Sequence, residues 1–242
     1  MALTTKAVTF DLWNTLLCDG DFSGIRVDLL ASALADRGFS RSLKLVRAEY
    51  TSAANRIPDA WRKEHRNIPV SESVDFILER LKVTLSDDTK RAVVLGFEEA
   101  ILHDQPPLVD GVKTVLERLS RRYRLGLISD TGMTPGRTIR EVLKNYDVLR
   151  YLSHAVFSDE VGHTKPHPLM FRRAVEGLGV EANETIHVGD LLRTDVAGAK
   201  AAGMKTVWFD RNDHRSEDED EVVPDHIITN LLDLLPLLET RD

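Results

Sequence analysis

The sequence predicts an α/β protein, a doubly wound parallel sheet into which an all-helical segment is inserted. Short apolar runs bounded by polar residues or glycine recur at Ala7 to Phe10, Leu125 to Ile128, Ala155 to Phe157, Thr185 to Val188, Thr206 to Phe209 and His226 to Ile228, as strands buried on both faces do. From Gly111 onward these runs alternate with segments of helical spacing, the signature of parallel strands joined by helical crossovers. The stretch from about Asp19 to Gln105 holds helical patterns and no convincing strand. At 242 residues the chain is long for one minimal domain and short for two, which suits one core with an insertion.

The first strand leads into Asp11-Leu12-Trp13-Asn14-Thr15-Leu16 and then into the insertion. There Leu29, Leu30 and Leu34, and later Val74, Ile77, Leu78 and Leu81, recur at helical spacing. Ser86-Asp87-Asp88 reads as a helix N-terminus, with a capping hydroxyl and two carboxylates facing the positive end of the dipole. Pro106-Pro107 breaks the pattern and marks the return to the core. The predicted division is therefore a core of residues 1–17 and 106–242 and a helical cap of residues 18–105. In the second part of the core, helices are expected through Val112, Val115, Leu116 and Leu119; Ile139, Val142 and Leu143; Phe171, Val175 and Leu178; and Val196 through Ala202. The acidic run Glu217 to Glu221 reads as a solvated loop before the last strand.

Composition narrows the function. Hydrophobic residues at 42% and charged residues at 29% exclude a disordered chain, a collagen-like repeat and a disulfide scaffold. The net charge of −7 contains the five charges of the acidic run, and the rest of the chain, at −2, is close to neutral. Without a basic stripe, nothing supplies the phosphate-neutralising interaction on which nucleic-acid binding rests. Cys18 is the only cysteine, so no intrachain disulfide and no cysteine-based zinc site can form, as in a reducing compartment. The N-terminus shows no charged-then-apolar export segment and no apolar stretch approaches membrane-spanning length. The expectation is a cytoplasmic protein acting on a small molecule, with neither membrane nor nucleic acid as partner.

Carboxylates recur where a parallel sheet presents functional groups, at the carboxyl ends of strands. Asp11 follows the first strand, Ser129-Asp130-Thr131 the second, and Gly189-Asp190 the fourth, with Asp195 beyond; the third leads into Ser158 to Pro168, which contains Lys165. In this order, with the Lys165-Pro166-His167-Pro168 run and the Gly-Asp-x-x-x-x-Asp spacing, the chain resembles the haloacid dehalogenase-like hydrolase superfamily. The helical insertion directly after the first motif is similar to that superfamily's cap. The resemblance implies a Rossmann-like core, Asp11 as nucleophile, and Ser129 and Lys165 as catalytic groups. It also implies substrate binding by Ser129, Asp130, Thr131 and Lys165, and a Mg²⁺ ion held by Asp11, the backbone carbonyl of Trp13, Asp190 and Asp195.

The chemistry of these residues agrees. Asp11 can attack a phosphoryl group only if the charge repulsion is cancelled, which Lys165 and a divalent cation would do. Asp11 and Asp190 offer the hard oxygen ligands that Mg²⁺ prefers, and Asp195 either orients Lys165 or holds a metal-bound water. Trp13 is the departure. Phosphatases of the superfamily usually carry an acid two residues after the nucleophile to protonate the leaving oxygen, and an indole cannot shuttle that proton. The 2-haloacid dehalogenases carry an aromatic residue there, because halide leaves without one. They also replace the Gly-Asp carboxylate by neutral side chains, whereas Asp190 is retained here, so a Mg²⁺-dependent phosphatase of a small metabolite, phosphoglycolate phosphatase-like in pattern, is expected. A 2-haloacid dehalogenase, or a scaffold with weak turnover, is the alternative.

Weaker candidates surround these. Arg47, in the cap, could bind a substrate carboxylate. His163 and His167 flank Lys165 and could substitute for the missing acid. His103, Asp104, Cys18 and Asp19 lie near the two crossings between core and cap, while Trp61 and Trp208 read as packing residues.

Overall fold

The computed structural model describes residues 5–211 and 222–239; the acidic run 217–221 lies outside them. Six parallel strands, β1 (Ala7–Phe10), β2 (Arg124–Ser129), β3 (Leu152–Phe157), β4 (Thr185–Gly189), β5 (Lys205–Phe209) and β6 (His226–Ile228), form one sheet in the order β3-β2-β1-β4-β5-β6. β1 is central and buried at every position. All six predicted strands are present. β3 starts three residues before the predicted Ala155, because its polar residues Ser153 and His154 sit on an edge strand where polarity is tolerated.

Alternate residues divide between the two faces. Val8, Phe10, Leu125, Leu127, Ile186 and Val188 pack with the helices α6 (Val112–Leu119) and α7 (Gly136–Asn145), whereas Ile128 and Val156 pack with α9 (Pro168–Leu178) and α10 (Ala197–Ala201). Each such fully buried large apolar side chain contributes about 1.5–3 kcal/mol. A one-turn helix, α8 (Ser158–Val161), follows β3, and α11 (Leu234–Glu239) follows β6.

The insertion is helical, with α1 (Ser23–Ala35), α2 (Leu43–Ala54), α3 (Arg56–Glu64), α4 (Val70–Leu81) and α5 (Asp87–Glu99). These helices bury their own apolar cluster, including Val27, Leu30, Val46, Val74, Ile77 and Phe97. Ser86 caps α5 as its sequence predicts, its hydroxyl accepting from Thr89 N. The two crossings between core and insertion run side by side: Cys18 N donates to Pro107 O at 2.9 Å and Val109 N to Leu16 O at 3.0 Å.

One predicted helix differs. Val196 to Ala202 becomes a shorter α10, preceded by a π-helical turn at Leu192–Val196. The wider turn brings Asp195 back toward β4, with Asp195 N donating to Leu191 O and Asp195 Oδ2 accepting from Leu191 N; such turns concentrate at functional sites.

Candidate active site

Strand register assembles the site. Phe10 stands opposite both Leu127 of β2 and Val188 of β4, so Asp11, Ser129 and Asp190 emerge along one edge of the sheet. Asp11 N is fixed by Val188 O at 2.8 Å. Lys165 comes from the loop after α8, and its backbone N–H donates to Asp130 Oδ1 at 3.0 Å, which ties that loop to the end of β2.

The ammonium of Lys165 donates to Asp11 Oδ1 and, at 2.6 Å, to Asp195 Oδ1. Lys165 is 3% exposed and Asp11 5%, so all three charges sit in a poorly solvated place where only mutual pairing makes them tolerable. Asp195 Oδ1 also meets His187 Nε2 at 3.3 Å, and His187 Nδ1 meets Thr9 Oγ1 at 2.9 Å. Gly189 makes room for this arrangement: a Cβ there would lie 2.4 Å from Asp195 Cγ.

Burial pushes the Asp11 carboxyl up to about 7, with Asp195 adding to the rise and Lys165 opposing it. Asp190 goes to about 8 through burial and the neighbouring Asp11 and Asp195. Burial alone would raise Asp195 as well, but Lys165 and His187 hold it at about 2. Lys165 is raised despite its burial, by Asp11, Asp195 and Asp130. Asp130 rises to about 6, burial outweighing Lys165.

Asp11, Asp190 and Asp195 each offer a carboxylate oxygen within 4.8 Å of the others. An all-carboxylate set of this kind fits a hard divalent cation, and the upward shifts of Asp11 and Asp190, caused first by burial and then by neighbouring carboxylates, mark charge that a cation would stabilise. Both Asp195 oxygens are already engaged by Lys165, His187 and Leu191 N, which leaves Asp11 and Asp190 as the better-placed pair.

A cavity of about 470 Å³ opens over these groups. Asp11, Trp13, Asp130, Thr131, Lys165 and Asp190 line it, as does Asp19. Ser129 is fully buried beneath, with its hydroxyl donating to Asp130 O at 3.2 Å. Trp13 Nε1 donates to Asp130 O at 3.0 Å, so its one polar atom faces the backbone. Arg47 is exposed on α2 and is not among the lining residues. Neither are Cys18, His103 or Asp104, nor His163 and His167, whose rings stack on each other at 3.8 Å.

The remaining residues of the site carry no motif. Trp61 lines the cavity, and Trp208 donates its Nε1 to Asp190 O at 2.9 Å; both read as packing residues in the sequence. Arg62 and Arg193 also line the cavity and no sequence pattern marks them. His187 had one signal, a lone ionisable residue in an apolar strand. The insertion is held down over the cavity by Asn67, whose Oδ1 accepts from Ser158 Oγ at 3.0 Å and Thr131 Oγ1 at 3.4 Å. Buried Arg26 adds bonds to Met133 O and Thr134 Oγ1.

Comparison with known proteins agrees with this geometry. The chain is 30% identical to a glyceraldehyde 3-phosphate phosphatase of Pyrococcus furiosus, over 98% of this chain and 94% of the relative. It is 28% identical to a phosphoglycolate phosphatase of Photorhabdus laumondii, over 95% and 91%. Among solved structures, a phosphatase of the same superfamily from Thermococcus onnurineus superposes with a TM-score of 0.68 at 26% identity, covering 97% of this chain and 98% of that one. A 2-haloacid dehalogenase from Pseudomonas syringae pv. tomato gives 0.72 at 25%, covering 98% and 99%. The pattern of haloacid dehalogenase-like hydrolases matches residues 5–203, and with the parallel sheet and the Asp11, Lys165 and Asp190 constellation the chain belongs to that hydrolase family.

Proposed function

We propose that the protein is a cytoplasmic, Mg²⁺-dependent phosphohydrolase of a small phosphorylated metabolite, working through an aspartyl-phosphate on Asp11, with residues 18–105 as its cap. The observation that carries this reading is Asp190. A second, half-buried carboxylate beside the buried Asp11, pushed up to about 8, is a costly arrangement that a cation between the two would turn into a binding site. The names of the phosphatase relatives lend support. Among the described residues no helix is long and apolar enough to cross a membrane.

In this scheme an oxygen of Asp11 attacks phosphorus, the P–O bond to the alcohol breaks, and the alcohol oxygen takes a proton from water. Water then attacks the aspartyl-phosphate, and inorganic phosphate leaves as the Asp11 carboxylate is restored. Lys165 neutralises both Asp11 and the phosphoryl oxygens, while the Ser129 hydroxyl, turned from Asp130 O, would donate to an oxygen of the transferring group; the Thr131 N–H is held by Ser158 Oγ and takes no part. Asp11 and Asp190 would hold Mg²⁺, which supplies charge neutralisation and alignment of the phosphoryl group.

The test is turnover of an aryl phosphate with Mg²⁺ and with EDTA, by the wild type and by Asp11→Asn. Activity is expected only with metal and only with Asp11. Trp13 is the observation that favours a second reading, because it takes the position of the usual acid; metal-independent turnover of 2-chloropropionate with no phosphatase activity would assign the protein to C–halogen hydrolysis instead.

A further inference from the structure

In-line displacement at phosphorus puts the leaving oxygen opposite the attacking one. With Asp11 on the core floor of the cavity, the alcohol half of a substrate points toward the inserted helices. The wall it meets there is built from one face of α3: Pro58, Trp61 and Arg62, at i, i+3 and i+4. Trp13 lines the same cavity from the core. The two tryptophans border one short turn, Trp13 through its bond to Asp130 O and Trp61 by packing beside Gly132, where an added Cβ would sit 3.7 Å from Trp61 Cζ2.

This wall offers few hydrogen-bonding groups besides the Trp61 N–H, which is buried without a partner among the described residues. The Trp13 N–H is spent on the backbone, the Arg26 donors are spent on Phe97 O, Tyr50, Met133 O and Thr134, and Phe22, Pro58 and Met133 offer no side-chain donor or acceptor. A polyol would exchange several waters for at most the one Trp61 N–H, whereas a planar apolar ring would gain the faces of two indoles. Arg62 adds a charge. It lies exposed at the cavity with neither a hydrogen bond nor an ion pair to any described residue, and a guanidinium suits a carboxylate geometrically.

We propose that the substrate is the phosphate monoester of an alcohol bearing a planar, largely apolar ring, which packs against Trp13 and Trp61 and carries a carboxylate that pairs with Arg62. The proposal rests on the phosphohydrolase reading above and deepens it. It differs from a simple preference for good leaving groups, because the contacts are to the ring and not to the breaking bond.

The experiment compares kcat/KM for glycerol 2-phosphate, benzyl phosphate and 4-carboxybenzyl phosphate in Mg²⁺. All three release alkyl alcohols, so leaving-group acidity is a minor variable. Each step in that series is expected to gain about tenfold, the equivalent of one aromatic contact or one charge-assisted bond. Trp61→Leu should bring the ratio of benzyl phosphate to glycerol 2-phosphate close to one, and Trp61→Phe should retain most of it. Arg62→Gln should erase only the advantage of the carboxylate. Thermal melts, and the affinity of each variant for the non-hydrolysable 4-carboxybenzylphosphonate, separate lost contacts from lost folding. Glycerol 2-phosphate turned over as well as benzyl phosphate, or a ring preference indifferent to Trp61→Leu, overturns this proposal and leaves the phosphohydrolase standing. No turnover of any phosphate in Mg²⁺, aryl phosphates included, overturns both.

Discussion

His187 stands behind Asp195, its Nε2 3.3 Å from the same Oδ1 that receives the Lys165 ammonium. Thr9 meets the other ring nitrogen at 2.9 Å; because the ionised Asp195 can only accept, Nε2–H donates to it, and in the neutral ring Nδ1 then accepts from the hydroxyl. Burial lowers the affinity of His187 for a second proton. Lys165 is therefore aimed at Asp11 by a carboxylate that is itself aimed by a neutral imidazole.

Removing that support should reduce turnover more than binding. His187→Leu is expected to lower kcat about 10- to 100-fold, the usual cost of losing an orienting partner, with KM changed much less. His187→Gln, which keeps a donor, should recover part of the loss. Steady-state kinetics alongside thermal melts make the check, and a variant that melts early yet keeps the wild-type kcat when folded would reduce His187 to a packing residue.

Asp190→Asn removes a charged oxygen from the pair proposed to share the cation. The Mg²⁺ concentration for half-maximal activity should rise by at least about tenfold, while the sheet stays intact because Asp190 lies beyond the last residue of β4. A metal titration of activity decides this, and an unchanged midpoint would move the metal site elsewhere.

Trp13 bears on the proton. Without an acid at this place, the rate should depend steeply on the acidity of the departing alcohol, and Trp13→Asp should flatten that dependence. The measurement is log kcat against leaving-group pKa across a series of aryl phosphates for both proteins. A flat wild-type plot would mean that another group already supplies the proton. Thermal stability needs checking alongside, since losing the indole leaves a cavity costing about 3–5 kcal/mol at worst.

Metal-free stability should fall as pH rises from about 6.5 to 8.5. Asp11 and Asp190 are held at about 7 and about 8 in the folded protein, well above their range in the unfolded chain. The folded state thus keeps protons that the unfolded state has already released, and the stability linked to them is lost as pH passes the folded values. His187 and His167, both lowered, act with the opposite sign but only below about 6.5. Asp195 and Lys165 stay ionised across the window. Melting in EDTA should show the fall, and Mg²⁺ should stabilise more at pH 8.5 than at 6.5, since it binds the ionised pair. A metal-induced shift independent of pH would exclude these two carboxylates as the ligands.

Much of this was legible in the sequence, for physical reasons. β1 and β4 are short apolar runs because both faces of the sheet are covered, and the carboxylates that follow them stand out against that background. Asp11, Lys165 and Asp190 each belong to a local motif and could be read. Trp61 and Arg62 could not, since what brings them to the site is the docking of α3, a tertiary event that leaves no periodic trace. Trp208 looked like core because it is core, and only its N–H on Asp190 O ties it to the site. The π-helical turn escaped because Leu192 to Val196 has ordinary helical composition, and the extra residue in the turn is selected by the carboxylate folding back to Leu191.

The side-by-side crossings at Cys18–Pro107 and Leu16–Val109 also bear on the entropy of joining the first two strands. Between β1 and β2, neighbours in the sheet, lie more than a hundred residues, and an unstructured loop of that length carries a larger closure entropy than a short one. Helices packed around their own apolar cluster hold their two ends together, so β2 is joined to β1 across what is in effect a much shorter connection. The length and composition of the insertion can then change without re-registering a single strand, and the α3 wall proposed to meet the substrate can be exchanged while the sheet that carries Asp11 and Asp190 is left untouched.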